Sequence, residues 1–181
     1  IPFDLIANDA GKAAVADAKQ KCVFESLFDY RNRDIGDYTL GGLTLTNTDV
    51  GGDLLVFAVD DANVDASAAG HVMIASWGDV PLLGATGDAG AAVWCYGNLT
   101  GSLASANGFT SAVTMSNGDL ANVSSETDLY VAALGTLTVN ASAGEYATLW
   151  AGGILDGTAT AGASLLAVSL EDVQLINTSA G

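Results

Sequence analysis

The sequence predicts an all-β protein: a single antiparallel β-sandwich or jelly roll of about eight strands with an N-terminal strand-plus-helix extension. Three observations predict it. After Gly36, short β-type runs are punctuated by Gly, Thr, Ser, Asn and Asp, the residues of tight turns. No Pro- or Gly-rich linker divides this part, and proline is confined to Pro2 and Pro81. The chain has 181 residues, half of them hydrophobic, which suits one domain with a real core.

The elements follow in order. In Ile1–Ile6, Ile1, Phe3 and Leu5 alternate with Pro2 and Asp4, as in a strand with one apolar face. Pro2 lies where a missing N–H is tolerable, near a strand start or edge. Asn8-Asp9-Ala10-Gly11 offers a helix N-cap. Residues 12–30 then read as helix: they are Ala-rich, lack Gly and Pro, and place Ala13, Ala16, Val23, Phe24, Leu27 and Tyr30 on one side. Strands are expected near 37–47, 53–60, 70–77, 90–97, 109–116, 127–139, 145–151 and 163–176. The segments 47–52, 84–88, 116–119 and 156–158 have turn composition. No repeat period stands out. The expected organisation is an assembly segment, 1–33, followed by an acidic β-sandwich domain, 34–181.

Charge divides the chain in the same place. Lys12, Lys19, Lys21, Arg31 and Arg33 are the only basic side chains besides His71. Residues 1–33 balance five bases with Asp4, Asp9, Asp17, Glu25 and Asp29. From Asp34 onward there are 13 Asp and 3 Glu and no Lys or Arg, so the whole formal charge of −16 resides there. That body has no Lys or Arg with which to form a salt bridge of its own. Its acidity argues against nucleic acid and anionic lipid as partners, which need cationic patches. No apolar run approaches the ~18 residues of a membrane helix. A positive mean hydropathy beside so large a charge suggests that part of the surface is hidden against other copies.

Several features point to export. The chain begins at Ile1, the kind of end left when a signal peptide is removed. Cys22 and Cys95 could form one disulfide, closing a loop of roughly 70 residues and worth about 4 kcal/mol in a loop-entropy account; two buried thiols are the alternative. Asn98, Asn122, Asn140 and Asn177 open Asn-x-Ser/Thr sequons, candidate glycosylation sites.

Catalytic motifs are scarce. His71 has no second His or Cys near it in sequence, which argues against a His-based zinc site. There is no Gly-x-Ser-x-Gly elbow and no P-loop. Carboxylates are plentiful, but Trp77, Trp94 and Trp150 read as core rather than as sugar platforms. No catalytic residues are assigned. The candidate cofactor is Ca2+: Asp60, Asp61, Asn63 and Asp65 place oxygen ligands on alternate residues. From Asp61 the run copies the opening of an EF-hand loop, then fails at Ala66 and Val72, where Gly and Glu belong. Asp49 with Asp53, and Glu171 with Asp172, are weaker pairs of the same kind. Screening by concentrated salt is the rival account of the acidity.

These features lead to an expected function: a secreted structural subunit of an extracellular filament or tube. Ile1, Phe3 and Leu5 would add as a strand to a neighbouring copy. Lys12, Lys19, Lys21, Arg31 and Arg33 would lie against that copy's acidic body. Such a head-to-tail contact propagates. The expectation resembles, in architecture alone and without a matching motif, secreted β-sandwich filament proteins. The alternatives are a jelly-roll virion protein and a calcium-dependent carbohydrate-binding or adhesin module.

Trypsin tests the charge division. Its sites all lie within residues 12–33. Dissociated subunits should be clipped there to an intact 34–181 fragment, and assembled material should resist, as read by mass spectrometry. Equal cleavage in both states would show that the basic segment is not buried by assembly.

Overall fold

The computed structural model describes residues 35–39 and 41–181; the expected strand 1–6 and helix 12–30 lie outside them. Among the described residues there are sixteen strands. They are β1 (Ile35–Thr39), β2 (Leu43–Val50), β3 (Leu54–Ala58), β4 (Ala62–Ala68), β5 (His71–Ser76), β6 (Val80–Gly87), β7 (Gly90–Cys95) and β8 (Leu99–Ser105). Then come β9 (Phe109–Thr114), β10 (Gly118–Ser125), β11 (Leu129–Ala133), β12 (Leu137–Ala143), β13 (Tyr146–Ala151), β14 (Leu155–Ala161), β15 (Ser164–Ser169) and β16 (Val173–Ala180).

The odd strands form one eight-stranded sheet and the even strands another. Each strand pairs in parallel with the strand two along the chain. The partners stand a nearly constant step apart in sequence, as in Leu54↔Val72 and Val72↔Ala91. The chain is therefore a parallel β-solenoid, in which each coil lays one strand on each sheet. This corrects the antiparallel sandwich and jelly roll, and with it the absence of a repeat. The virion alternative and the likeness to β-sandwich filament proteins lose the fold on which they rested.

The core lies between the two sheets. Along the odd strands Leu54 and Val56, Val72 and Ile74, Ala91 and Val93, Leu129 and Val131, and Ala147 and Leu149 point inward and are buried. The even strands answer with Val64, Leu82, Leu99, Leu103, Leu120, Val123, Leu137, Val139 and Leu155. Stacking in register lines up the inward positions: Val80, Leu99, Gly118, Leu137 and Leu155 form one column. Gly118 gives its space to Leu137, whose Cδ1 would lie 2.8 Å from a Cβ placed there. No coil could bury its own apolar row alone, and its neighbours above and below complete the core.

The even sheet differs from the odd one in regularity. The odd strands pair without interruption. The even strands carry bulges, where register slips by one between Leu45 and Thr48, Leu82 and Ala85, Leu120 and Asn122, and Thr158 and Thr160. Four residues with positive φ lie within these strands: Asn47 (47°), Gly101 (103°), Gly157 (129°) and Asn177 (54°). Glycine and asparagine tolerate that conformation best, which explains their place within strands. Three segments expected as turns are thereby reassigned. Residues 84–87 and 156–158 are strand, as are 47–50 up to the corner at Gly51-Gly52.

Among the described residues no helix is long and apolar enough to cross a membrane.

A core prediction follows from the leucine column. Leu137 is fully buried between its neighbours in adjacent coils. Leu137→Ala should cost about 2–5 kcal/mol, the usual range for a buried leucine. A lowered midpoint in chemical denaturation checks it, and a loss below about 1 kcal/mol would mean that the column collapses to fill the space.

Candidate functional site

Three surfaces of the solenoid carry chemistry: the corners, the outer face of the odd sheet and the terminal coil.

At the corner from odd to even strand, side chains bond from coil to coil. Asp61 Oδ1 accepts from the Asp79 N–H at 2.8 Å. Asp79 Oδ1 accepts from the Asn98 N–H at 2.6 Å and from Asn98 Nδ2 at 3.3 Å. Asn98 Oδ1 accepts from Ser116 Oγ at 2.9 Å. Asn117 Oδ1 accepts from the Thr136 N–H at 2.9 Å. A second file of hydroxyls runs beside it. Ser76 Oγ donates to the Asp60 carbonyl at 2.5 Å and accepts from the Gly78 N–H. Thr114 and Ser169 donate likewise to the Gly97 and Gly153 carbonyls. These bonds satisfy backbone groups where the chain leaves the sheets. Glycine is needed beside the ladder: a Cβ on Gly97 would lie 2.3 Å from Asp79 Oδ1 and 2.6 Å from the Gly78 carbonyl carbon. The ladder was not anticipated. Its signal was present in Gly78-Asp79, Gly97-Asn98 and Ser116-Asn117, which recur at equal spacing along the sequence.

The calcium candidates fall into this framework. Asp60 and Asp61 lie at the corner between β3 and β4, and Asn63 and Asp65 on β4. Asp61 bonds to the next coil, and Asp65 Oδ2 accepts from the Asn47 N–H at 3.3 Å in the coil before. Among the described residues no three His, Cys, Asp or Glu side chains gather as a metal set. Asp49 accepts from Ser67 Oγ at 2.8 Å, on the even sheet's outer face.

At the opposite corner Asp53 Oδ1 accepts from the His71 N–H at 2.6 Å and lies 3.1 Å from His71 Nδ1. The backbone hydrogen bond, aided by the ring, holds the Asp53 carboxyl below its ordinary range, outweighing partial burial. Cys95 is fully buried, and its Sγ donates to the Gly97 carbonyl at 3.3 Å. Burial pushes its thiol up to about 11. Its candidate partner Cys22 lies outside the described residues, as do the assembly strand Ile1, Phe3, Leu5 and the basic residues Lys12 to Arg33. Of the sequon asparagines, Asn122, Asn140 and Asn177 are exposed on the even sheet, whereas Asn98 is half-buried in the corner ladder. Asn140 Nδ2 donates to Asn122 Oδ1 at 3.2 Å, and Asn140 Oδ1 accepts from Thr158 Oγ1 at 2.6 Å.

The two outer faces differ in kind. The even sheet shows Asp65, Ser67, Thr100, Asp119, Thr138, Asn140, Asp156 and Thr160. The odd sheet shows Leu55, Met73, Trp94, Phe109, Tyr130, Tyr146, Trp150 and Leu166. Trp77 and Tyr96, on successive corners, stack at 4.9 Å, and Trp94 meets both edge-on. The tryptophans expected in the core thus point outward.

Among the described residues nothing covers the last coil. The inward residues Leu165, Ala167 and Leu175 are only partly buried, and Val173 and Ile176 are 49% and 66% exposed. Among the described residues, strands β15 and β16 each pair on one side only.

Three measurements test these assignments. Asp79→Ala removes acceptors for two donors and should cost on the order of 1 kcal/mol, with Asp79→Asn retaining most of it in denaturation. Asp53, held low in the fold, stabilises above its ordinary range, and that contribution is lost as pH falls through the lowered value. Asp53→Asn should therefore flatten the acid limb of the stability curve. Cys95 is held high, so its contribution is complete below the ordinary thiol range and is lost as pH rises toward about 11. Peptide mapping should find Cys95 unalkylated in folded protein near neutral pH.

Comparison with family models, with characterised proteins and with solved structures finds no match to the chain.

Proposed function

We propose that the chain is a structural, self-assembling subunit of an extracellular filament, polymerising head-to-tail by adding its N-terminal segment to the open end of a neighbouring solenoid. The observation that carries this reading is the uncovered terminal coil. An open parallel edge presents unpaired N–H and C=O groups beside a half-exposed apolar row. A strand running parallel to β15 or β16 would complete both. Ile1, Phe3 and Leu5 alternate with the period needed to extend the row formed by Leu165 and Ala167. Pro2 is tolerated where its missing N–H faces away from the acceptor edge.

Charge supports the same partner. The chain's lysines and arginines all follow that strand, in residues 12–33, and Glu171 and Asp172 lie at the corner of the terminal coil. A basic segment approaching an anionic end is steered toward it by the attraction of opposite charges. Calcium is a candidate counterion in this reading, and Asp60, Asp61, Asn63 and Asp65 are its candidate ligands. Export belongs to the same proposal.

Deleting Ile1–Ile6 is the test. The shortened chain should keep its β circular dichroism and fail to form fibres in negative-stain micrographs, in calcium or in chelator. Normal polymerisation of that variant would overturn the reading.

A further inference from the structure

We propose that the outer face of the odd sheet, from β3 to β15, is a lateral interface that pairs with the same face of a second copy. This contact is distinct from end-to-end addition and does not depend on it.

Charge placement comes first. Strands β3, β5, β7, β9, β11, β13 and β15 contain no Asp, Glu, Lys or Arg. Of the body's acids, Asp49, Asp65, Asp119 and Asp156 are on even strands and Asp88, Glu126, Glu145 and Glu171 are exposed at the corners, whereas Asp53, beside His71, and Asp128, beside Phe109 and Tyr146, stand at the edge of the odd face itself, and Asp37 is on β1, outside the proposed interface. Two chains of formal charge −16 repel each other. The strands of the odd sheet from β3 onward bring no charged side chain to this side, so two copies meeting there bring only the edge acids Asp53 and Asp128 near the contact. The corner acids would stay at its margin, as a polar rim around an apolar centre.

Area comes second. Seven strands at about 4.8 Å spacing, each five or six residues at about 3.3 Å rise, cover roughly 35 by 18 Å. That is about 600 Å² per copy in projection, so a face-to-face pair buries at least roughly 1,200 Å², the lower bound of a stable specific interface. Apart from His71, Ser111, Thr148 and Ser164 the outward residues are apolar or small, and so largely apolar a face is uncommon on a free monomer. Parallel sheets, moreover, are normally covered on both faces.

Relief comes third. Met73, Tyr130 and Leu166 stand 44%, 44% and 55% exposed in a single file across the coils. Beside them Phe109 and Tyr146 flank a shallow cleft of about 460 Å³. A two-fold axis normal to the solenoid axis and lying between the paired sheets would let protruding side chains of one copy enter the cleft of the other, a self-complementary contact. The mixture of Leu, Met and Val with aromatic rings suits a protein partner. Ser111, Asp128 and Thr148 also line the cleft beside those rings, which makes a glycan the competing occupant.

The full-length chain carrying Tyr130→Lys and Leu166→Lys is the test. Both side chains point away from the core, so unchanged circular dichroism and melting temperature are expected. Scanning transmission microscopy should then show fibres of half the wild-type mass per length. If wild-type material is not fibrous, sedimentation should show a dimer becoming a monomer, which supports lateral pairing while removing the end-to-end reading. Thr100→Lys with Thr138→Lys, on the opposite face, should change neither quantity. Unchanged mass in a folded Tyr130→Lys, Leu166→Lys variant overturns the proposal. So does a wild-type monomer whose tryptophan fluorescence shifts with soluble oligosaccharide, which would make the face a sugar platform.

Discussion

Parallel, in-register stacking of short coils of nearly constant length is the constraint on which everything else rests. Each strand between the ends of the stack has its N–H and C=O groups met by the coils on either side. A coil alone would expose its apolar row and half its backbone. The geometry also copies each residue's environment along the rod. Leu137 at the start of an even strand meets Leu155 at the start of the next, and a corner carboxylate meets a corner N–H. The interior can therefore be built from Ala, Val and Leu, with few large rings, because the two sheets lie close and every column repeats.

Much of the odd sheet was legible in the sequence. β3, β5, β7, β9, β13 and β15 fall within expected strands, because their Val, Ile, Trp, Phe and Tyr content reads as β. The even strands were largely missed. ANVDASA, LTGSLAS and LDGTATA place a few Ala, Val or Leu inward among many Ser, Thr, Asn and Asp, and the latter two carry a glycine at the bulge. Such runs have the composition of loops. Taking them as loops left an eight-stranded chain, and eight strands joined by loops suggest antiparallel pairing. Parallel pairing was instead encoded in the repeat, visible in Gly78-Asp79, Gly97-Asn98 and Ser116-Asn117, whose spacing matches one coil. The corner ladder became recognisable only with that period in hand.

The candidate site was less legible than the fold. Asp60, Asp61, Asn63 and Asp65 alternate as metal ligands do, but two of their carboxylates bond across coils, an arrangement that local spacing cannot reveal. The tryptophans were expected inside because large rings usually are. Here the interior columns hold Ala, Val and Leu, and the rings lie on the outer face. The charge division was legible without any structure. What the fold adds is its distribution: beyond β1 the acids lie on even strands and at the corners, and the odd strands from β3 to β15 carry none.

The even-sheet bulges have a consequence for how such a chain can change. Register slips by one at a bulge, so Leu120 pairs with Val139 whereas Val123 pairs with Ala141, a step shorter by one position. A coil can thus gain or lose a single residue on that side without turning its inward side chains outward. The odd strands have no such slack, and one added residue there would invert the strand. Small insertions and deletions should accumulate in the even half of each coil during evolution, while the odd half keeps its count. Larger changes in length would come as duplication or loss of whole coils.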